Sequence, residues 1–404
     1  MNLLEYYFVE QKTAQKKYGR HTIVFLQNGA FYEAYQYGED GYDLQKLSEI
    51  LNFVVTRKNK SVVASLQNPF MFGIPVIVWD KNLRVLIENG YTIVQIDETT
   101  PPPKPKRGIV AVHSPATYIN DITSPDAAYI CSIFIEEGNR QYECGVVVMD
   151  ISTGKIYMME TRSEKDDNCM PLDDIIKVLQ TYQCREIIIT VCNLVSFTKD
   201  QLISFLEVMD KLHFYSSLDS ASGVVKIKYQ EKVLIRSFGH LFTLSEKNNI
   251  IESMDLALMT YARVALVSLL DYVADHSMKL SMGLELPVVM EKRDYLYLGN
   301  NAIYQLNIFN NDQSNVSNLY YRGEQYKCLF DIINRTSTAI GRRYLKNNMI
   351  NPLLDVDYIN WRYEMIGEWR DRDFLDSLEK ILVDIMDIER YGRKIALQSL
   401  HPLD

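Results

Sequence analysis

Several things are missing from this 404-residue chain, and each narrows what it can be. No stretch approaches the ~18 consecutive apolar residues of a membrane span, so no bilayer-crossing segment is expected. The first residues lack the basic-then-apolar order of a signal peptide, because Glu5 and Glu10 interrupt it, and a soluble intracellular chain is expected. Six cysteines (Cys131, Cys144, Cys169, Cys184, Cys192 and Cys328) include no Cys-x-x-Cys pair and no cysteine–histidine spacing suited to zinc. Reduced, mostly buried thiols are expected, and the six dispersed histidines give no metal site. A phosphate-binding loop of the form G-x-x-x-x-G-K-[ST] is also missing: around Gly154-Lys155, Met149 and Ile156 stand where Gly and Ser/Thr are needed. No cofactor and no catalytic residue is therefore expected in this chain.

The composition is that of an ordinary globular protein, with 47% apolar and 24% charged residues, and the length suggests two or three domains. The net charge of −9 is unevenly spread. Residues 1–120 carry 13 Lys and Arg against 11 Asp and Glu, whereas the remainder carries 30 against 41. Attraction to phosphate decays over a Debye length of ~8 Å at physiological salt, so a local basic face can touch nucleic acid while the rest stays acidic. The charge permits such a contact without demanding it.

Pattern changes divide the chain near 115–127 and 215–245, giving units of 1–120, 121–240 and 241–404. The first reads as mixed α/β: a helix over Leu3–Lys17, the apolar run His21–Leu26, a turn at Gly29, the aromatic stretch Phe31–Tyr37 and a helix over Leu44–Leu51. Pro101-Pro102-Pro103-Lys104-Pro105 can continue neither a helix nor a central strand and marks a stiff segment near the edge of this unit. In the second unit, strands over Ala128–Ile135, Glu143–Asp150 and Lys155–Glu160 precede a helix (Leu172–Gln183), a strand (Glu186–Thr190) and a helix (Asp200–Lys211). Three meander strands followed by α-β-α is the order of a ribonuclease-H-like sheet. The third unit reads as helical. Ile250, Met254, Leu258, Tyr261, Ala265, Leu269 and Tyr272 recur at helical steps over some seven turns. That predicts one long helix near 246–280 leading away from the second unit. Further helices are expected within Tyr326–Asn348, Tyr358–Trp369 and Phe374–Gln398.

The most informative short segment is Gly29-Ala30-Phe31-Tyr32-Glu33. An exposed aromatic beside a carboxylate could wedge between bases and hydrogen-bond one of them, although a Phe-Tyr pair in apolar surroundings is more often core. The surroundings favour the wedge. Gly-x-Phe-Tyr-Glu near the N-terminus resembles the mismatch-reading motif of the MutS family, and the resemblance continues in family order. Thr56-Arg57-Lys58, with Lys60 beyond it, is similar to the family's Thr-Lys-Arg turn, and Met71-Phe72-Gly73-Ile74-Pro75 to its Met-x-Gly-Ile-Pro segment. Asn89–Val94, His113-Ser114-Pro115-Ala116-Thr117 and Asp150-Ile151-Ser152-Thr153-Gly154 resemble later stretches of the first two domains. Ile333–Leu345 and Asp387-Ile388-Glu389-Arg390 resemble parts of the lever. The segments Thr56–Ser61 and Thr99–Arg107 most resemble the MutS of giant DNA viruses and octocoral mitochondria. Two positions depart from the pattern: Ala30 stands where Asp is common, and His113–Ala116 lacks the usual glycine.

The resemblance implies a mismatch-recognition domain, a ribonuclease-H-like connector and a helical, incomplete core and lever domain. It implies that Phe31 stacks on a mispaired base and Glu33 hydrogen-bonds it, with Gly29, Arg57, Lys58, Lys60 and Met71 in support. The implied partner is double-stranded DNA with mismatches or small unpaired loops; a homodimer of the whole protein and repair proteins docking on the connector are implied as well. ATP and Mg²⁺ belong to the family's ATPase domain, which is expected to lie outside this chain. The compartment (cytoplasm, nucleus, organelle or viral factory) is left open. Two alternatives compete: a two-metal nuclease built on the second unit, where Asp150 ends a strand, and an interaction scaffold of a repair complex without mismatch binding. A nuclease needs several converging carboxylates, whereas Asp before Ser-Thr-Gly is ordinary turn chemistry.

Overall fold

The first helix forms because Glu5 reaches back to the Asn2 amide at 2.9 Å, and it ends where Gly19 turns to φ 95°. This helix, α1 (Leu3–Tyr18), buries Tyr7, Gln11, Ala14 and Tyr18, one stripe at helical spacing. The structure, a computed structural model, describes residues 2–57, 59–100, 105–118, 126–209, 212–218, 223–290, 295–296, 298, 302–309, 319–321, 324–369, 372–398 and 400. Next come β1 (Thr22–Asn28), β2 (Phe31–Tyr37), β3 (Asp40–Gly41), α2 (Leu44–Leu51), β4 (Thr56–Arg57), β5 (Phe70–Pro75), α3 (Trp79–Glu88), β6 (Thr92–Glu98) and β7 (Arg107–His113).

The sheet runs β4-β5-β2-β1-β6-β7, with β3 beside β2. Strand β2 pairs with β1 only from Phe31 to Glu33 before it diverges. The divergence leaves the Thr22 carbonyl and the Val24 amide without a strand partner, and buried Gln11 takes both at 2.8 Å. Helix α1 covers one face, where Tyr7 meets Tyr35 edge-on, and α3 covers the other, where Trp79 stacks on Tyr32 with ring centres 4.0 Å apart. The proline-rich stretch joins β6 to β7; Thr99 and Lys106 close its ends by a 2.8 Å hydrogen bond, and residues 101–104 lie outside the described residues.

The second sheet follows from runs that are apolar on both faces. Strands β8 (Tyr129–Gly138) and β9 (Gln141–Asp150) join through Asn139 and Arg140, both left-handed at φ 54° and 64°, the two-residue turn that matches strand twist. They are followed by β10 (Lys155–Arg162), α4 (Met170–Tyr182), β11 (Glu186–Cys192), α5 (Lys199–Phe205) and β12 (Leu212–Leu218). Strands β8, β9 and β10 form an antiparallel meander; β11 runs parallel to β8, and β12 parallel to β11. The helix expected over Asp200–Lys211 stops at Phe205, because Glu207 turns left-handed at φ 55°, and strand β12 follows. Alternate residues face opposite ways: Ile133, Ile135, Val146 and Val148 pack under α4 and α5, while Ile130, Phe134, Val147 and Met149 face the other side.

That other side is covered by α6 (Ile227–Phe238), α8 (Ile250–Ser253) and α9 (Thr260–His276), with the short, exposed α7 (Leu244–Lys247) between α6 and α8. The single long helix expected near 246–280 is not formed. After α8, Asp255 turns left-handed at φ 56°, and α9 restarts the same periodicity on the same core. The segment between them holds neither Gly nor Pro, so nothing in its composition signals the break. Helix α9 does not lead away; it lies flat on β8 and β9 and reaches back to the first unit, with Lys17–Asp275 at 2.8 Å and Tyr18 against His276. The helical layer thus extends on both sides of residue 240.

The remainder comprises β13 (Val288–Val289), which adds to β10, then α10 (Ala302–Gln305), the hairpin β14 (Leu319–Tyr321) and β15 (Glu324–Tyr326), and five helices: α11 (Leu329–Ile333), α12 (Ala339–Ile350), α13 (Val356–Glu368), α14 (Arg372–Leu382) and α15 (Ile388–Ala396). Its junction with the second unit is polar. Arg343 of α12 is gripped by Asp387 and Glu389, and Glu389 also meets Lys155. Arg393 of α15 is buried and donates to the carbonyls of Ile151, Leu280, Met282 and Gly283.

The start of α9 touches the sheet backbone to backbone. A Cβ on Gly145 would lie 2.2 Å from the Tyr261 carbonyl, while the Glu160 carboxylate receives the amides of Tyr261 and Ala262 at 2.8 and 3.2 Å. Gly145→Ala is therefore expected to lower unfolding free energy by about 1–3 kcal/mol or more. Gly138→Ala, where nothing lies within 4 Å, should be close to neutral. Chemical denaturation of the two variants compares them; equal stability would show that the contact at Gly145 is not made in solution.

Candidate nucleic-acid interface

The β1–β2 hairpin turns on Gly29 and Ala30, with Asn28 paired to Phe31. Gly29 adopts φ +60° with open space around it, the conformation that a two-residue hairpin with glycine first requires. The turn is fixed to the next strand because the Val76 amide donates to the Ala30 carbonyl at 2.9 Å. Phe31, first residue of β2, keeps 45% of its surface exposed, which is unusual for a phenylalanine inside a sheet. On β5, Phe31 pairs with Pro75, and its ring leans over Gly73, the partner of Glu33, where an added Cβ would lie 3.7 Å from the ring and 3.9 Å from Glu33 Cγ. The glycine makes room for both side chains.

Glu33 lies two residues along, on the same face, and is only 8% exposed. Its Oε2 accepts from Asn28 Nδ2 at 3.0 Å and from the Tyr35 hydroxyl. Burial, then the hydrogen bond to Glu33, pushes the Tyr35 phenol well above its ordinary range, so it remains a donor throughout neutral pH. Oε1 has no hydrogen-bond partner among the described residues. Phe31 and Glu33 thus sit side by side, one offering an apolar face and the other a fixed acceptor. Met71, cross-strand from Tyr35, shares that face and is half-buried. Asn28 and Tyr35 were not singled out from sequence, yet hairpin pairing and the two-residue period place both on the face of Phe31.

The basic turn divides. Arg57 pairs with Phe70, so it points to the opposite side of the sheet from Phe31, and its guanidinium donates to the Val62 and Lys60 carbonyls at 3.1 and 3.3 Å. It organises the loop after β4, together with Asn68, whose amide bonds Asn59 and Val62 at 3.0 Å. Lys60 is exposed, and Lys58 lies outside the described residues.

The reverse face of β2 is locked by a part-buried polar network. Tyr32 donates to Asp97 at 2.9 Å, Gln95 to Tyr32 at 2.8 Å, and Trp79 Nε1 to Gln95 Oε1 at 3.2 Å, with His113 Nε2 on the same oxygen at 3.2 Å. With both faces held, Phe31 projects from a rigid strand.

On the second sheet the carboxylates are occupied by structure. Asp150 caps its own turn, with Ser152 N, Ser152 Oγ and Thr153 Oγ1 at 3.0, 2.7 and 3.0 Å. Glu186 holds Ala116 N at 2.7 Å and Tyr272, and Asp174 holds Thr161 at 2.7 Å. Among the described residues no group of three or more His, Cys, Asp or Glu could hold a metal ion, and no helix is long and apolar enough to cross a membrane. The nuclease reading is not favoured.

An exposed aromatic on a stiff hairpin, a second sheet whose Asp150 and Glu186 are taken up by turn and backbone contacts, and helices beyond define a class of mixed α/β-plus-α protein. Comparison with known families places it further. The family model for MutS domain I matches residues 7–122 and that for MutS domain III matches residues 301–404, together more than half of the chain. A mutS homolog of Acanthamoeba polyphaga mimivirus, described as a DNA mismatch repair protein, is 33% identical over 99% of this chain and 37% of its own length. The DNA mismatch repair protein MutS of Thermotoga sp. (strain RQ2) is 25% identical over 98% of this chain and 43% of its own length; that of Thermodesulfovibrio yellowstonii is 26% identical over 96% and 40%. The chain belongs to the MutS family. It spans about two fifths of the length of these relatives, from 37% to 43%.

The network behind β2 has a pH consequence. Burial lowers His113 from 6.5 to about 4; His276 adds to this, and Asp80 and Asp97 oppose it. A depressed histidine favours the folded state while neutral, so its contribution is full above pH 6.5 and is lost as pH falls towards 4. Denaturant unfolding of wild type and His113→Gln from pH 7.5 to 4.5 should show a steeper loss for wild type below pH 6.5, by up to ~1.4 kcal/mol per pH unit. Parallel curves would mean that His113 titrates normally.

Proposed function

We propose that this chain reads mispaired or unpaired bases in double-stranded DNA, with Phe31 as the stacking wedge and Glu33 as the hydrogen-bonding partner of the displaced base. The observation that carries this reading is the pairing of a half-exposed Phe31 with a Glu33 whose Oε1 is without a partner among the described residues, both on one face of a rigid strand. Bending a DNA site costs on the order of 1–6 kcal/mol. Aromatic–base stacking returns ~1–3 kcal/mol per base. A sound base pair adds an unstacking cost that a mismatch largely lacks. The wedge then discriminates by deformability rather than sequence. Gly29 and Met71 support it by shaping the hairpin and its flank, while Lys60 and Lys58 are the phosphate contacts. Arg57 acts on phosphate indirectly, through the loop it closes.

The second sheet, an antiparallel meander followed by two parallel strands, supports the ribonuclease-H-like connector reading, and α10 to α15 support the core and lever reading. We keep the division at 1–120, 121–240 and 241–404, with α6 closing the second unit and α8 and α9 as the part of the third that packs on the second sheet. Without a phosphate-binding loop, this chain is proposed not to hydrolyse ATP; ATP and Mg²⁺ would act in the ATPase domain of a whole MutS protein. Homodimerisation, docking of repair proteins on the connector and a soluble intracellular setting belong to the same proposal. The scaffold alternative predicts no preference for mismatched DNA.

Fluorescence anisotropy with matched and mismatched duplexes tests the wedge. Phe31→Ala should cut the mismatch-to-match affinity ratio by about one to two decades, the loss of one stacked base. Lys60→Ala should weaken both duplexes alike and reduce the salt dependence. If Phe31→Ala keeps the ratio while Lys60→Ala abolishes it, the assignment is wrong.

A further inference from the structure

A cleft runs between the second unit and α12, far from Phe31 in the chain. Its larger part, a cavity of about 490 Å³, has three tyrosines in its wall, Tyr157, Tyr182 and Tyr295. Tyr182 is fixed in place: its ring meets Tyr129 edge-on at 5.1 Å and Tyr157 at 5.5 Å, and its hydroxyl lies 3.5 Å from Met290 Sδ. A smaller cavity of about 180 Å³ adjoins it, and the two share Thr181, Tyr182, Asn347 and Ile350 as walls. The combined space is within the range of about 300–1,000 Å³ typical of small-ligand sites.

The two parts differ in chemistry. The smaller cavity is lined by Arg185, Arg343 and Lys346 against one carboxylate, Asp126. Arg343 is taken up by Asp387 and Glu389. Asp126 gives its Oδ1 to Arg342 at 2.9 Å, which leaves Lys346 a looser contact of 3.6 Å with Oδ2. Arg185 Nη1 makes a long hydrogen bond of 3.4 Å to the Pro115 carbonyl. Arg185 is therefore a weakly engaged cation, and Lys346, whose ammonium also lies 5.3 Å from the centre of the Phe309 ring, a partly engaged one, at one end of a space whose other end is aromatic. An anion at that end would give Arg185 and Lys346 charge-assisted hydrogen bonds in place of long contacts of 3.4 and 3.6 Å, and a flat ring would meet three tyrosine side chains at the other.

We propose that this cleft binds a nucleoside monophosphate, the base among Tyr157, Tyr182 and Tyr295 and the phosphate on Arg185 and Lys346. Bound there, the ligand bridges α4 and β11 to α12 and strengthens the junction that Arg343 and Arg393 already make. The site is independent of the mismatch reading, since none of its residues lies in the first unit.

Isothermal titration of the whole chain with AMP, adenosine and inorganic phosphate tests the proposal. AMP should saturate one site, with adenosine and inorganic phosphate each at least about tenfold weaker. Arg185→Ala and Lys346→Gln should each weaken AMP about tenfold without changing the affinity for adenosine. Phe31→Ala should leave AMP binding unchanged, and thermal melting checks that each variant is folded. No saturation up to about 10 mM AMP overturns the proposal. So does phosphate binding as tightly as AMP, or full AMP affinity in the folded Arg185→Ala/Lys346→Gln double variant.

Discussion

The arrangement depends on how closely α9 approaches the second sheet. Gly145 lets the first turn of the helix rest on the strand backbone, and Glu160 supplies an anion to its otherwise unsatisfied amides. From there the helix runs almost wholly buried to His276, with Val264, Leu266, Leu269, Leu270 and Val273 enclosed. Each such side chain contributes about 1.5–3 kcal/mol relative to exposure. The far end of α9 meets Tyr18 and Lys17 of α1, and Tyr272 shares Glu186 with the Ala116 amide. One helix thereby fixes the first unit to the second. Their buried side chains form a single continuous cluster, which also takes in α6.

That continuity matters for the hairpin. A wedge is useful only if it stays put while DNA deforms around it, since a yielding side chain would absorb the strain meant for the base pair. Strand β2 is held on one face by Tyr7 against Tyr35 and on the other by Trp79 on Tyr32. Glu33 is oriented by two donors before any base arrives, so little conformational freedom is left to lose on binding.

Much of this was legible in the sequence, and what was not has physical causes. Helix α2 and strand β2 follow from local signals: Asp43 caps α2, and the aromatic, turn-bounded run Phe31–Tyr37 after Gly29 is a strand, while Asp355 caps α13, which begins at Val356, two residues before the expected start at Tyr358. The break at Asp255 was invisible because both α8 and α9 face one core, and periodicity reports the core rather than the continuity of the helix. Strand β12 was missed because Leu212–Leu218 gains strand structure only by pairing with β11. At the site, the motif pointed to Phe31 and Glu33. The resemblance placed Arg57 among the supporting DNA-binding residues, and only the Thr56–Met71 and Arg57–Phe70 pairing reveals that it faces the other way from Phe31.

The segment from α10 onward is attached by different physics from α8 and α9, and this bears on how the molecule moves. Its own apolar core is small, built on Ile303, Ile308, Phe309, Cys328 and Phe330, and α13 buries none of its residues. Its grip on the preceding chain comes from Arg343, Asp387, Glu389 and Lys155, from Arg342 on Asp126, and from Arg393 on the carbonyls of Ile151, Leu280, Met282 and Gly283. Hydrogen-bonded ion pairs are directional and lose much of their energy with small displacements, whereas a continuous apolar core resists shear over its whole area. The cleft lies along this polar seam, so the seam is also where packing is incomplete. A rigid two-unit body joined to a helical arm through a polar seam has one natural place to bend. Anything bound in the cleft acts on that bend rather than on the hairpin.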